Sequence, residues 1–226
     1  MKKITFLAIA LFVASAVTSF AQTTKGTVYL GGGLGFTTSS SKNKFEGGGV
    51  TVESDGPKST TFSLVPGVGF FVADKLALGL DLSLDFGSTK IFDGDDEIKN
   101  SYNQISFTPY VRKYFMMGDN FGFTGALGLG VGFGSSKLET SSGGVTVSAD
   151  GPKTTSFQFG VVPGLVFFPT SKVGLEASFG FVGASIISSK QDTAGGTDKS
   201  TTTEFGLSAN SITPTFSFGF RYYLTK

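Results

Sequence analysis

The chain has 226 residues, with 18 Lys and Arg against 17 Asp and Glu for a formal net charge of +1; without a single-sign block, nothing points to nucleic acid as a partner. It contains no Cys and no His, which excludes disulfides, thiolate metal sites, lipid attachment at an N-terminal cysteine, the commonest general base and the commonest zinc ligand. Only 15% of its residues are charged, while 33 are Gly and 25 are Phe; an ordinary soluble domain carries roughly 25% charge.

Residues 1–21 read as a secretory signal peptide. Lys2 and Lys3 form a basic end, Ile4 to Val17 an apolar stretch, and Ser19-Phe20-Ala21 a small-x-small cleavage site before Gln22. At about 1.5 Å per residue that stretch is too short to span a bilayer. No later segment offers about 18 continuous apolar residues, so the remaining domain, 22–226, is expected to hold no membrane helix.

From residue 26 onward the governing period is two, the mark of strands with unlike faces. Strands are expected near 26–38, 60–72, 76–87, 102–115, 121–134, 154–168, 173–184 and 205–224. In the third, Leu76, Leu78, Leu80, Leu82, Leu84 and Phe86 alternate with Ala77, Gly79, Asp81, Ser83, Asp85 and Gly87. In the fifth, Phe121, Phe123, Leu127, Leu129, Val131 and Phe133 alternate mostly with glycines. Between the strands, long polar loops near 39–59, 88–101, 135–153 and 185–204 alternate with short turns at 73–75, 116–120 and 169–172. Short turns on one side and long loops on the other is the pattern of outer-membrane barrels. The expected fold is therefore all-β: a closed, eight-stranded, antiparallel, up-and-down transmembrane barrel with four long outer loops and three short periplasmic turns.

The faces follow from volume. An eight-stranded barrel is only wide enough for its own side chains, and eight Phe/Leu ladders would overfill it. Gly, Ser, Thr and Ala suit the interior; Phe and Leu outward make a belt far larger than a soluble protein tolerates in water. Phe70-Phe71, Tyr114-Phe115, Phe167-Phe168 and Tyr222-Tyr223 fall where descending strands meet the short turns, and are expected to form an interfacial girdle, with Lys113 snorkelling beside it. Pro66, Pro109, Pro163 and Pro214 lie inside expected strands, where a bulge or weakened rung must accommodate each.

Residues 48–75 recur as 143–172, an internal duplication of a four-strand unit. The repeat carries Asp55-Gly56-Pro57-Lys58 and Asp150-Gly151-Pro152-Lys153, read as turn chemistry, with a ligand site shared by both loops as the alternative. The descending strands VPGVGFFVADKLALG, FTPYVRKYF, VPGLVFFPTSKVGLE and the terminal FSFGFRYYL resemble the outer membrane protein beta-barrel domain family, whose architecture is that of small OmpA-like and opacity-like barrels. The resemblance covers essentially the whole mature chain. It implies an outer-membrane location, with outer-membrane lipid and the assembly machinery as partners during insertion; it implies no particular loop-binding partner. Outer-membrane strands often finish on a C-terminal aromatic, whereas here Tyr223 is followed by Leu224, Thr225 and Lys226.

Few charges fall on the inward face: Asp81, Asp85, Arg112, Glu176 and Arg221. Counted from the short turns, Asp81 matches Arg112 in depth and Glu176 matches Arg221, so two carboxylate–guanidinium pairs are expected in the periplasmic third of the lumen. They act as a structural plug or, alternatively, as a constriction selecting ions or small solutes. Catalysis lacks a base and a nucleophile constellation. The loop Asp93-Gly94-Asp95-Asp96-Glu97 lacks EF-hand spacing and Gly31-Gly32-Gly33-Leu34-Gly35 lacks a following helix; no cofactor is expected. Two functions remain: a structural or interaction barrel with a plugged lumen, or a small-solute channel.

Overall fold

The computed structural model describes residues 20–47, 50–93, 96–178, 181–193, 195–207 and 217–224. The signal peptide up to residue 19, Pro214 and most of the expected last strand's first half therefore lie outside the described residues. Nine-tenths of what is described is antiparallel strand or tight turn. The strands are β1 (Val28–Gly47), β2 (Val50–Ala73), β3 (Leu76–Asp93), β4 (Asp96–Met116), β5 (Phe121–Ser142), β6 (Val145–Thr170), β7 (Val173–Ser178), β8 (Val182–Thr193), β9 (Gly196–Leu207) and β10 (Ser217–Leu224).

Each strand of β1 to β6 pairs with the next, β6 pairs with β7, β7 with β10, and β10 returns to β1. The pairing thus runs in a ring. Beyond β7, β6 takes β8 as its partner, and β8 carries β9. Cross-strand partners share a face, so the ladders Phe62↔Phe86 and Leu64↔Leu84 put the large apolar side chains of neighbouring strands together on the outside. Outward residues such as Phe36, Phe107, Phe133 and Phe159 are exposed.

The segments expected as long loops are instead two-stranded ribbons. Pairing persists to Gly47↔Val50, Asp93↔Asp96, Ser142↔Val145 and Thr193↔Gly196. The reason is local: each stretch carries β-branched Thr, Val or Ile, and hydroxyls meet across the strands, as in Ser141–Thr146 at 2.8 Å and Ser188–Thr201 at 3.3 Å. Gly143 and Gly144 close one ribbon with φ of 55° and 81°, the two positive values that a two-residue hairpin turn demands. Polarity hid the period of two, because neither face of a ribbon standing in water needs to be apolar.

The repeated Asp-Gly-Pro-Lys segments are likewise not turns. They lie within β2 and β6, each at a register shift, between Ser40 and Lys42 in one repeat and between Ser135 and Lys137 in the other. Ser41 Oγ donates to the Pro57 carbonyl at 3.4 Å and Ser136 Oγ to the Pro152 carbonyl at 3.2 Å. The duplicated feature is a β-bulge, with proline placed where the ladder already gives way. Pro66 and Pro109 sit at gaps in the ladder toward β3 and β5 respectively, and Pro163 sits where β7 gives way to β8.

The short-turn end is covered by the segment before β1, a single 3-10 turn at Phe20–Thr23. Gln22, Thr23 and Thr27 are buried. Gln22 Nε2 donates to the Thr170 carbonyl at 3.0 Å, and the Lys75 amide donates to the Thr23 carbonyl at 2.7 Å. At the opposite end, Glu139 accepts from Lys99 at 3.1 Å and from Lys137 at 3.2 Å. Those hydrogen bonds, Lys99 first, hold its carboxyl below the ordinary 4.5. A depressed folded-state pKa contributes stability above the ordinary value and loses it as pH falls through the lower one. A carboxyl-detected NMR titration is expected to give Glu139 a midpoint below 4.5, moving back up in Lys99→Ala; an unmoved midpoint would mean the bridge does not form in solution.

Candidate functional site

Among the described residues, four of the five inward charges, Asp81, Arg112, Glu176 and Arg221, gather toward the short-turn end of the lumen. Glu176 on β7 accepts from Arg112 Nη1 at 2.6 Å and from Arg221 Nε at 2.7 Å. Arg112 reaches it from β4, on the far wall of the ring, while Arg221 stands beside it on β10. Direct register pairs Glu176 with Gly219 and Arg221 with Gly174, so the two are diagonal neighbours on one face. The side chains of all three are close to nine-tenths buried, with relative exposures of 11%, 12% and 7% for Arg112, Glu176 and Arg221.

Tyrosines complete the cluster. Tyr114 Oη donates to Glu176 Oε1 at 3.2 Å, and Arg221 Nη1 donates to Tyr110 Oη at 3.2 Å. Tyr110 and Tyr29 hydroxyls stand 3.1 Å apart, joining β4 to β1 across the lumen. Arg112 lies over the Tyr110 ring at 4.7 Å and Arg221 over Tyr29 at 5.0 Å, a cation–π geometry that steadies each guanidinium in a desolvated place.

Beneath this layer lies an aromatic floor. Tyr29, Phe71, Tyr114, Phe168 and Tyr223 are each at most 1% exposed. Tyr223 is its hub, with ring centroids 5.6 Å from Tyr29, 6.3 Å from Phe71 and 5.3 Å from Phe168. This corrects the expected girdle. Of each aromatic doublet, period two sends one ring in and one out: Phe71, Tyr114, Phe168 and Tyr223 fill the lumen, while Phe70, Phe115 and Tyr222 face outward.

The expected charge pairing is corrected in one half: Glu176 and Arg221 do stand together, at 2.7 Å, but the other pair does not form. Asp81 does not pair with Arg112; it stands 3.9 Å from Arg221 Nη1. Counting depth from the turns ignores the stagger that tilted strands impose: Asp81 is opposite Thr108, and Arg112 is opposite Ala77. Asp85 meets no arginine and accepts instead from Ser63 Oγ, and from Ser83 Oγ at 2.7 Å. Above the plug opens a chamber of about 740 Å³ bounded by small residues including Gly32, Thr108, Thr124, Gly128 and Ser63, with Asp81, Arg112, Glu176 and Arg221 at its bottom.

Sequence reasoning missed Tyr29 and Tyr110. The signal was present in the register: each Tyr faces a glycine on the adjacent strand, Tyr29↔Gly69 and Tyr110↔Gly79, and its ring lies where that glycine's Cβ would stand, with Tyr29 Cζ at 2.3 Å and Tyr110 Cζ at 2.4 Å. A tyrosine laid over a cross-strand glycine fills the space both leave. Gly69→Val is accordingly expected to expel the Tyr29 ring and lower the unfolding midpoint in a denaturant titration by the equivalent of about 1–3 kcal/mol; an unchanged midpoint would mean the ring has room elsewhere.

Strands in a ring, an apolar exterior and an interior of small residues above an aromatic floor now stand together. The model of the outer membrane protein beta-barrel domain matches residues 6–220. The chain belongs to that family. Its relatives by structure are outer-membrane barrels. OprG from Pseudomonas aeruginosa aligns over 92% of this chain and 100% of its own, at a TM-score of 0.52 and 15% identity. Ail, the attachment invasion locus protein of Yersinia pestis, aligns over 88% and 99% with a TM-score of 0.35 and 18% identity. Neisserial surface protein A aligns over 88% and 97% with a TM-score of 0.33 and 16% identity. At such identity the likeness to OprG speaks for the fold alone. No curated protein sequence matches. For a member of this barrel family the belt of outward Phe and Leu has its physical explanation in lipid as the outer solvent.

Proposed function

We propose that this chain is a closed, eight-stranded transmembrane barrel of the outer membrane, exported by a signal peptide at 1–21, with a plugged lumen and a structural or interaction role carried by its four outward hairpins. The three short turns face the periplasm on this reading, outer-membrane lipid surrounds the belt, and the assembly machinery inserts it. The observation that carries the plug is Glu176 held by arginines from two walls directly above five interlocked rings. On this reading the buried triad and the aromatic floor together close the water path below the chamber, as suits a barrel only just wide enough for its own side chains. No reaction belongs to the reading; the chain has no His and no Cys.

The test is conductance of the refolded protein in a planar bilayer, with folding established by a heat-dependent gel shift. Folded but silent protein is expected. Discrete, reproducible channels would overturn the plug and favour the second reading, a small-solute channel, for which the chamber of about 740 Å³ is the favouring observation.

A further inference from the structure

Above the belt, on the same outward face, the two repeats carry the same three layers. In the first, Phe62↔Phe86 is followed by Thr60↔Ser88↔Ser101 and then by Lys58↔Lys90↔Lys99. In the second, Phe157↔Ile186 is followed by Thr155↔Ser188↔Thr201 and then by Lys153↔Lys190↔Lys199. Each step is two residues, so each lysine row stands about 13 Å along the strands from its last belt phenylalanine. Three lysines directly opposite one another on adjacent strands repel, and a chain keeps such a row at a cost unless something anionic meets it.

The rows differ in how that repulsion is met. In the first, every lysine has a carboxylate partner: Lys58–Asp55 at 2.8 Å, Lys90–Glu97 at 2.9 Å and Lys99–Glu139 at 3.1 Å. In the second, Lys190 approaches Asp192 at 3.6 Å, while Lys153 and Lys199 have no ion-pair partner among the described residues. We propose that the Lys153, Lys190 and Lys199 row binds the phosphate groups of lipid headgroups in the outer leaflet. The inference rests on the transmembrane reading above, which puts the belt in lipid and this row at the level of the headgroups above it. A lipid rather than a soluble anion is indicated by position: the row caps the belt, so an acyl chain against Phe157 and Ile186 brings its headgroup to the ammonium groups. Lysine near an anionic membrane surface acts as a point charge without a fixed fork, which suits a mobile headgroup.

The experiment compares wild type, a Lys153→Gln/Lys190→Gln/Lys199→Gln variant and a Lys58→Gln/Lys90→Gln/Lys99→Gln variant, each refolded into phosphatidylcholine vesicles and into phosphatidylcholine vesicles containing lipid A. Lipid A retained per protein after detergent extraction is counted by native mass spectrometry. Retention is expected to weaken about fivefold per lysine removed from the second row and to be unaffected by the first-row variant. Single Lys153→Gln and Lys199→Gln variants keep the comparison open if the triple variant fails to give a heat-dependent gel shift. Unchanged retention in the second-row variants, or an equal loss in both rows, overturns the proposal. Displacement of lipid A by inorganic phosphate alone overturns the lipid as the occupant and makes it a free-anion site. Failure of the wild type itself to fold in phosphatidylcholine would sink the transmembrane reading instead, independently of any lysine.

Discussion

Glu176→Ala is expected to be the most damaging single substitution in the molecule, destabilising it by about 3–5 kcal/mol. The carboxylate accepts from Arg112 at 2.6 Å and Arg221 at 2.7 Å, so its loss leaves two buried guanidinium groups with Asp81, 3.9 Å from Arg221, as their nearest carboxylate. Burying a charge is tolerable only when a partner and hydrogen bonds replace water. The expectation is read as a fall in the urea midpoint for unfolding from vesicles, or as loss of the heat-resistant folded band. Its companion prediction has the opposite sign. Replacing the four together, Arg112→Met with Glu176→Leu, Arg221→Met and Asp81→Asn, removes charge and counter-charge at once and is expected to be near neutral or stabilising. Asp81→Asn serves as the graded control, because its carboxylate stands 3.9 Å from Arg221 and its removal leaves Glu176 in place. If Glu176→Ala and Asp81→Asn proved equally mild, the triad would not be the electrostatic centre of the lumen.

Phe71→Ala with Tyr223→Ala is expected to have the largest effect on permeability. Tyr223 touches Tyr29, Phe71 and Phe168, and its hydroxyl lies 3.4 Å from that of Tyr114. Truncating a buried aromatic costs about 3–5 kcal/mol in a close-packed core, less where the site collapses. A ring of paired strands resists collapse, since its hydrogen-bonded circumference fixes its width. The space therefore stays open and fills with water, joining the chamber to the short-turn side. Single-channel recordings are expected to be silent for wild type and to show ohmic steps for the double variant. A silent, folded double variant would locate the seal in the charged triad rather than in the rings.

The sequence by itself determined the class of the molecule. Alternation of Leu and Phe with Gly, Ser and Thr along 76–87 and 121–134 dictates strands with one apolar face, and the volume of an eight-stranded ring dictates which face looks out. The five inward charges were legible for the same reason, since the parity of each is set by its own strand. What parity cannot supply is height. Asp81 and Arg112 sit four residues apart along β3 once Ala77 is seen opposite Arg112, so the bridge that forms is Arg112 to Glu176, between strands far apart in sequence. The ribbons beyond the belt were hidden because a strand with water on both faces has no apolar signature, only β-branched residues and hydroxyl pairs. The aromatic floor was hidden because Phe70 and Phe71, or Tyr222 and Tyr223, read as one doublet until the backbone sends successive side chains to opposite faces. Faces are a local property of each strand, fixed by a period of two; heights and partners across the lumen depend on the tilt and stagger of the whole ring, which only the tertiary structure sets.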